Sequence, residues 1–243
     1  MEERGVAAYA AEFIGTFFLV LFICFILTVN KGGLGYFDWA VIGLLHAFVL
    51  MMLIHTLGGT SGAHFNPAVT ATLAALRKIA PVDAVIYILL QLAGAVCAAL
   101  VVKAMLVDEQ RVVHDGATLV SPLLSGKTLG GAVAELIGTF VLMWAIMGMA
   151  VNPRAERAWA GFVIGATLGF AVMVFGPLTS AGFNPARAFG PSLVAGGEDV
   201  GKFLVVYVAG PLVGALLAGF SYTLIVLKQQ GERPVDKLSE VPE

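Results

Sequence analysis

The chain has 243 residues, 59% of them hydrophobic and 12% charged, with a mean hydropathy of +0.92 and a formal net charge of −2. A soluble domain carries about 25% charged residues, so this composition excludes one and points to a polytopic membrane protein. The small negative charge argues against a nucleic-acid partner. The two cysteines, Cys24 and Cys97, both lie inside apolar runs and suggest neither a disulfide framework nor a metal site.

Met1-Glu2-Glu3-Arg4 is not the basic lead of a secretory signal, so the first apolar run is read as a permanent span. A span needs roughly 20 mostly apolar residues. Six runs qualify, at about 8–29, 39–57, 82–105, 129–150, 158–176 and 203–227. Lys31 to Asp38 reads as a short Gly-rich loop. Val107 to Thr128, with its charges, His114 and Pro122, reads as a polar connection that cannot span. Lys228 to Glu243 reads as a polar tail. Asn152-Pro153-Arg154, between two spans, reads as a charged turn.

Two apolar segments are left over, Asn66 to Leu76 and Asn184 to Val194, each of 11 residues. As helices they would reach ~16 Å, about half of the ~30 Å hydrocarbon thickness. Each opens with Asn-Pro: Asn66-Pro67-Ala68 and Asn184-Pro185-Ala186. Asn is a favoured N-cap and Pro suits the first helical position, so both are predicted helix starts. Irregular backbone at membrane depth is tolerated only inside protein or along a watery cavity. Gly58 to His64 and Thr179 to Gly182, which precede the two boxes, are such backbone. Both segments are therefore read as re-entrant loops that dive in as extended chain and return as half-helices.

The halves match elsewhere. Ala11-Glu12-Phe13-Ile14-Gly15-Thr16-Phe17 pairs with Ala134-Glu135-Leu136-Ile137-Gly138-Thr139-Phe140, and Gly94-Ala95 with Gly214-Ala215. Three spans and one half-helix per half invert the second half relative to the first. The predicted fold class is an all-α membrane protein: six transmembrane helices plus two re-entrant half-helices in an inverted 3+3 repeat, with its site near the midplane. Arg4, Arg77, Lys78, Arg154, Arg157, Lys228, Arg233 and Lys237 fall on one side, against Lys31, Lys103, Arg111, Lys127 and Lys202 on the other. The excess puts both termini in the cytoplasm.

The paired boxes, the Ser61-Gly62-Ala63-His64-Phe65 lead and the two Ala-Glu-…-Ile-Gly-Thr-Phe openings resemble the aquaporin (major intrinsic protein) family. The resemblance runs over about residues 8–227, and the short chain is most similar to archaeal or bacterial members. It implies one channel domain over 1–227, with repeats at about 8–105 and 129–227 joined by loop 106–128, and a cytoplasmic tail at 228–243. It implies a homotetramer in the cell membrane, passing water and small neutral solutes, with no cofactor or metal and no enzymatic activity. The pore would run past Asn66 and Asn184. Backbone carbonyls of Gly62, Ala63, His64 and Phe65, and of Ser180, Ala181, Gly182 and Phe183, would form its acceptor ladder. Glu12 and Glu135 would be buried acids bonded to that backbone.

Arg187 follows its box where Val69 follows the other, and a membrane-depth Arg is costly and so usually functional. By resemblance, His46, Val172, Ala181 and Arg187 form the selectivity filter. His55, near the opposite helix face from His46, has no pore role, and Cys24 and Cys97 are placed away from the filter. Gly161, Gly165 and Gly169 make a packing stripe. A filter of this kind departs both from water-selective members, which have an aromatic on span two and a His on span five, and from glycerol facilitators, which have an aromatic wall and an Asp where Ala188 stands. The predicted function is a passive channel for water and for solutes such as ammonia or urea, excluding protons and ions. The alternatives are a glycerol-facilitating aquaglyceroporin and a secondary transporter. A transporter needs a coupling-ion site, and the intramembrane acids here are only Glu12 and Glu135, near span ends.

Overall fold

The computed structural model describes residues 4–31, 38–106, 116–125, 127–197 and 199–232, and among them the regular structure is helical throughout. The Gly-rich loop before Asp38, His114, and the tail beyond Glu232 lie outside the described residues. Six helices are long and apolar enough to cross a membrane. They are α1 (Val6–Lys31), α2 (Trp39–Ser61), α4 (Pro81–Met105), α5 (Thr128–Ile146), α6 (Ala160–Thr179) and α8. The short helices α3 (Pro67–Ala75) and α7 (Pro185–Val194) fall where the two left-over segments were predicted. The last span, α8, is continuous through Val200–Phe203, Leu204–Ala209, Gly210–Tyr222, Thr223–Leu227 and Lys228–Glu232. Leu204–Ala209 is a π-helical stretch just before Pro211, which has no N–H for the Tyr207 carbonyl, so the ladder widens there.

Three boundaries differ from the sequence reading. Helix α2 continues through Gly58, Gly59 and Thr60 to Ser61, because Gly62, at φ +92°, closes it by donating its N–H to the Gly58 carbonyl. Helix α6 continues through Pro177 to Thr179 and is closed in the same way by Ser180, whose N–H bonds the Gly176 carbonyl. Helix α8 takes in Lys228 to Glu232, so the start of the expected tail is helical.

Close helix approach depends on glycine. A Cβ on Gly165 would meet the Ala47 carbonyl oxygen and one on Gly169 the Gly43 carbonyl oxygen, so the predicted stripe is the face that seats α6 on α2. His55, given no pore role, packs its ring on Gly161 at the end of this seam. Gly94 brings α4 against the Phe13 carbonyl of α1, and Gly214 brings α8 against the Leu136 carbonyl of α5. Each half-helix packs on a long span of the other half: α3 through Thr72 on Gly219 of α8, and α7 through Gly190 on Ala95 of α4. Neither half can therefore complete its core alone.

Candidate functional site

Asn66 and Asn184 both have extended backbone (φ −153° and −152°) and stand immediately before Pro at the first helical position. Each side-chain oxygen caps its own helix. Asn66 Oδ1 accepts from the Ala68 N–H at 2.9 Å, and Asn184 Oδ1 accepts from Ala186 N–H at 3.0 Å and Arg187 N–H at 3.3 Å. Each amide nitrogen then crosses to the other loop. Asn66 Nδ2 donates to the Phe183 carbonyl at 2.8 Å, and Asn184 Nδ2 donates to the Phe65 carbonyl at 2.7 Å. The two half-helix N-termini are thus clasped tip to tip by reciprocal bonds. An amide NH₂ has two protons, so each Asn keeps one unspent donor.

The loops behind the tips are held by the two buried acids. Glu12 Oε1 accepts from Ser61 Oγ (2.6 Å) and the His64 N–H (3.0 Å), while its Oε2 accepts from the Phe65 N–H (2.7 Å) and Gln91 Nε2 (2.8 Å). Glu135 Oε1 accepts from Thr179 Oγ1 (2.6 Å) and the Gly182 N–H (2.8 Å), and its Oε2 accepts from the Phe183 N–H. Both carboxylates are fully buried. With a backbone N–H on each oxygen, both carboxylates are anchors for backbone. Tyr87 and Tyr207 donate to the carbonyls of Ser61 (2.9 Å) and Thr179 (3.0 Å), at matching places in the two halves. The anchoring sustains strained backbone: Ala63, Phe65, Ser180, Ala181 and Phe183 all have φ between +47° and +59°.

Gly15 and Gly138, the glycines of the repeated opening motif, explain why that motif recurs. A Cβ on Gly15 would run into the Phe65 ring, and one on Gly138 into the Phe183 ring. Each loop phenylalanine is seated in the groove its glycine leaves.

A cavity of about 480 Å³ passes this centre. Arg4, Lys78 and Arg157 stand at one mouth. From there it runs past Gly58, Gly62, Ala63 and His64 to Asn66 and Asn184, then past Gly182 and Phe183 to His46 and Arg187. The opposite wall is apolar, with Leu19, Ile23, Leu50, Leu142, Ile164 and Leu168. Val172 and Ala181 are buried in the apolar cluster that also holds Ile42 and Phe183, and they do not line this cavity. Val172 is one turn past Leu168, the last residue of α6 on the cavity wall. Ser180 is likewise outside the lining; its hydroxyl accepts from the Leu119 N–H at 3.2 Å.

On the same cavity wall as Arg187, His46 Nδ1 is 2.8 Å from the Ile42 carbonyl. A carbonyl only accepts, so Nδ1 carries the proton, and in the neutral ring Nε2 is an acceptor. That Nε2 is buried without a protein partner. Arg187 Nη1 donates to the Gly116 carbonyl at 3.2 Å, while its Nε and Nη2 are buried with no partner. The two residues are within electrostatic reach of each other. One unspent acceptor and a set of unspent donors thus belong to residues that line the same cavity.

Sequence reading missed the segment 116–121. Ser121 N–H bonds the Leu178 carbonyl at 2.8 Å, which lays this segment along the second re-entrant loop and puts the Gly116 carbonyl on Arg187. Gly116 has φ +78°, and a Cβ there would press on Cys24, so only glycine fits. This corrects the placement of Cys24: it lies behind the carbonyl that holds Arg187 and within electrostatic reach of the guanidinium. Cys97 is exposed on α4. Tyr87, Tyr207 and Gln91 were also missed. The tyrosines could have been found, since each stands at the same offset before Gly94 and Gly214. Gln91 could not, because Pro211 is its counterpart. Among the described residues no three His, Cys, Asp or Glu side chains converge to hold a metal ion.

A family profile described as Major intrinsic protein matches residues 2–222. The chain is 38% identical over 233 residues to Aquaporin AqpM of Methanothermobacter thermautotrophicus, covering 87% of this chain and 94% of the relative. It is 35% identical over 215 residues to Nodulin-26 of Glycine max, covering 88% of this chain and 76% of that one. The crystal structure of the aquaglyceroporin from Plasmodium falciparum superposes with a TM-score of 0.78 at 22% identity, over 94% of this chain and 99% of that one, a likeness of fold.

Proposed function

The chain belongs to the major intrinsic protein family, and from that premise we propose that it is a passive multi-pass membrane channel passing water, and with it ammonia and urea, while rejecting ions and protons. The observation that carries this reading is the reciprocal clasp of Asn66 and Asn184 on the wall of a continuous cavity. Each half-helix points about +0.5 of a charge at the clasp. At an effective dielectric constant of ~20 and roughly 5 Å, two such ends oppose a cation by about 3 kcal/mol, before the loss of its hydration shell. A water there accepts through its oxygen from both unspent Asn protons. Its own protons then point away along the file, so it cannot relay one inward.

The filter is read as His46, Arg187, Val172 and Ala181. The unspent donors of Arg187 suit an acceptor such as the urea carbonyl or a water oxygen, and His46 Nε2 suits an N–H or O–H. Val172 and Ala181, which lie outside the cavity lining, are proposed to bound the filter just beyond it as a small apolar side. Glycerol needs an aromatic wall for its carbons while its hydroxyls bond, and none of these four supplies it. The inverted repeats at about 8–105 and 129–227, both termini in the cytoplasm, and a tetramer with one pore per subunit complete the proposal. The test is stopped-flow light scattering on proteoliposomes with water, ammonia, urea and glycerol. Val172→His should narrow the filter and cut urea several-fold while sparing water. Glycerol flux rivalling water flux, or unchanged selectivity in Val172→His, would refute this filter.

A further inference from the structure

A second concavity lies on the outer surface, away from the pore, bounded by α4, α7 and α8, with a volume of about 430 Å³. Its floor is Pro67 and Pro185, the first residues of the two half-helices, so its inner end is at the depth of the Asn clasp. Leu92, Phe189 and Leu204 wall it, and it ends at Gly197 and Val200. Every lining residue but Ser192 is apolar.

We propose that this groove is a binding site for one acyl chain of a bilayer phospholipid, from the leaflet on the Val200 side. The groove follows α8 from Val200 to Val208, which at helical rise is ~12 Å, close to the ~15 Å depth of one leaflet. It opens sideways between spans: Leu193 and Leu204 on its rim are 55% and 52% exposed. In a membrane that opening faces hydrocarbon, and an unfilled groove would forfeit the dispersion contacts of its lining. Ser192 provides an independent observation. Its residue is 6% exposed and its Oγ has no partner, although it stands on the wall toward the headgroup end. A hydroxyl at that depth is a donor for the ester carbonyl that heads an acyl chain. The bound chain would bear directly on the backs of both boxes and support the seam from behind.

The test uses the full chain in phosphatidylcholine vesicles doped with a phospholipid carrying a diazirine at mid-chain, irradiated, digested and mapped by mass spectrometry. Adducts per residue on Leu92, Phe189 and Leu204 should exceed those on Leu100, an ordinary lipid-facing residue 51% exposed on α4, by at least about fivefold. Leu204→Trp, and independently Leu193→Trp, should fill the groove and abolish that excess, leaving Leu100 labelling and water permeability unchanged. Equal labelling of groove and Leu100, or an excess that survives both substitutions, overturns the proposal. So does protection of the groove accompanied by chain-to-chain crosslinks through Leu204→Cys, which would make the occupant a second copy.

Discussion

Glu135→Gln changes one oxygen to NH₂ without changing shape, and its consequence can be worked out bond by bond. Each oxygen of Glu135 accepts one fixed backbone donor, Gly182 N–H at Oε1 and Phe183 N–H at Oε2. Whichever way the amide turns, its nitrogen faces one of them and that bond becomes a donor–donor contact. The Thr179 hydroxyl can rotate; the backbone cannot. A lost bond to a charged acceptor is worth about 1.5–3 kcal/mol. For a chain of this size about 2 kcal/mol corresponds to a fall of about 4–8 °C in melting midpoint. Glu12→Gln should cost a similar amount, since Glu12 likewise takes one backbone N–H on each oxygen, from His64 and Phe65. The two loops share the Asn66–Phe183 and Asn184–Phe65 bonds, so the double variant should depart from additivity by more than about 0.5 kcal/mol. The assay is tryptophan-fluorescence melting in detergent beside water permeability in vesicles. If Glu135→Gln melts with the parent and conducts like it, the carboxylates are not anchors and the argument fails.

Arg187→Val should keep water flux while raising urea flux and proton leak several-fold, measured by stopped-flow and by a pH-sensitive dye inside the vesicles; unchanged values would remove Arg187 from the filter. Mercurials should leave the parent open, because Cys24 is fully buried and Cys97 faces outward on α4, whereas Ala181→Cys should become sensitive. Strong block of the parent that vanishes in Cys24→Ser would show that Cys24 is reached from the pore. Gly138→Ala should abolish or sharply reduce folded protein in size-exclusion profiles, because the Phe183 ring it would strike is itself fully buried; overpacking of this kind costs about 1–3 kcal/mol or more.

The six spans, the two half-helices and the paired boxes were legible because each follows from a local rule: hydropathy over a window, and Asn-Pro as a helix start. The duplicated glutamates were legible as backbone anchors only through the family resemblance, and the duplicated glycines of the opening motif only as a pattern. Nothing in the residues Ala-Glu-Phe-Ile-Gly themselves says which backbone N–H groups Glu12 takes, those of His64 and Phe65, or that Gly15 seats the Phe65 ring. The contacts that escaped are those made by a single backbone atom far away in sequence. The Gly116 carbonyl on Arg187 is the case in point: it comes from the polar connection between the halves, which reads as a mere linker. The ends of α2 and α6 were missed for a related reason. Gly and Pro were read as breaks, yet each helix runs on until a left-handed residue closes it.

The two halves divide the work between what they share and where they differ. Most of what fixes the clasp is duplicated: the Asn caps and their crossed amides, the glutamate anchors, the tyrosines on the Ser61 and Thr179 carbonyls, and the glycine seats for phenylalanine. The residues proposed to select solutes are not. Val69 lines the cavity where Arg187 stands in the other copy, and His46 has no histidine partner in α6. The reason is electrostatic. A second buried guanidinium on the Val69 side would need its own acceptors, and the segment that supplies the Gly116 carbonyl is unique, being the one connection between the repeats. The same connection packs on Cys24 of α1 and bonds to Leu178 and Ser180 beside the second loop, so it reads both halves at once. On the proposed function, a symmetric clasp sets where the pore runs, and a single asymmetric strap holds the guanidinium proposed to select what passes it.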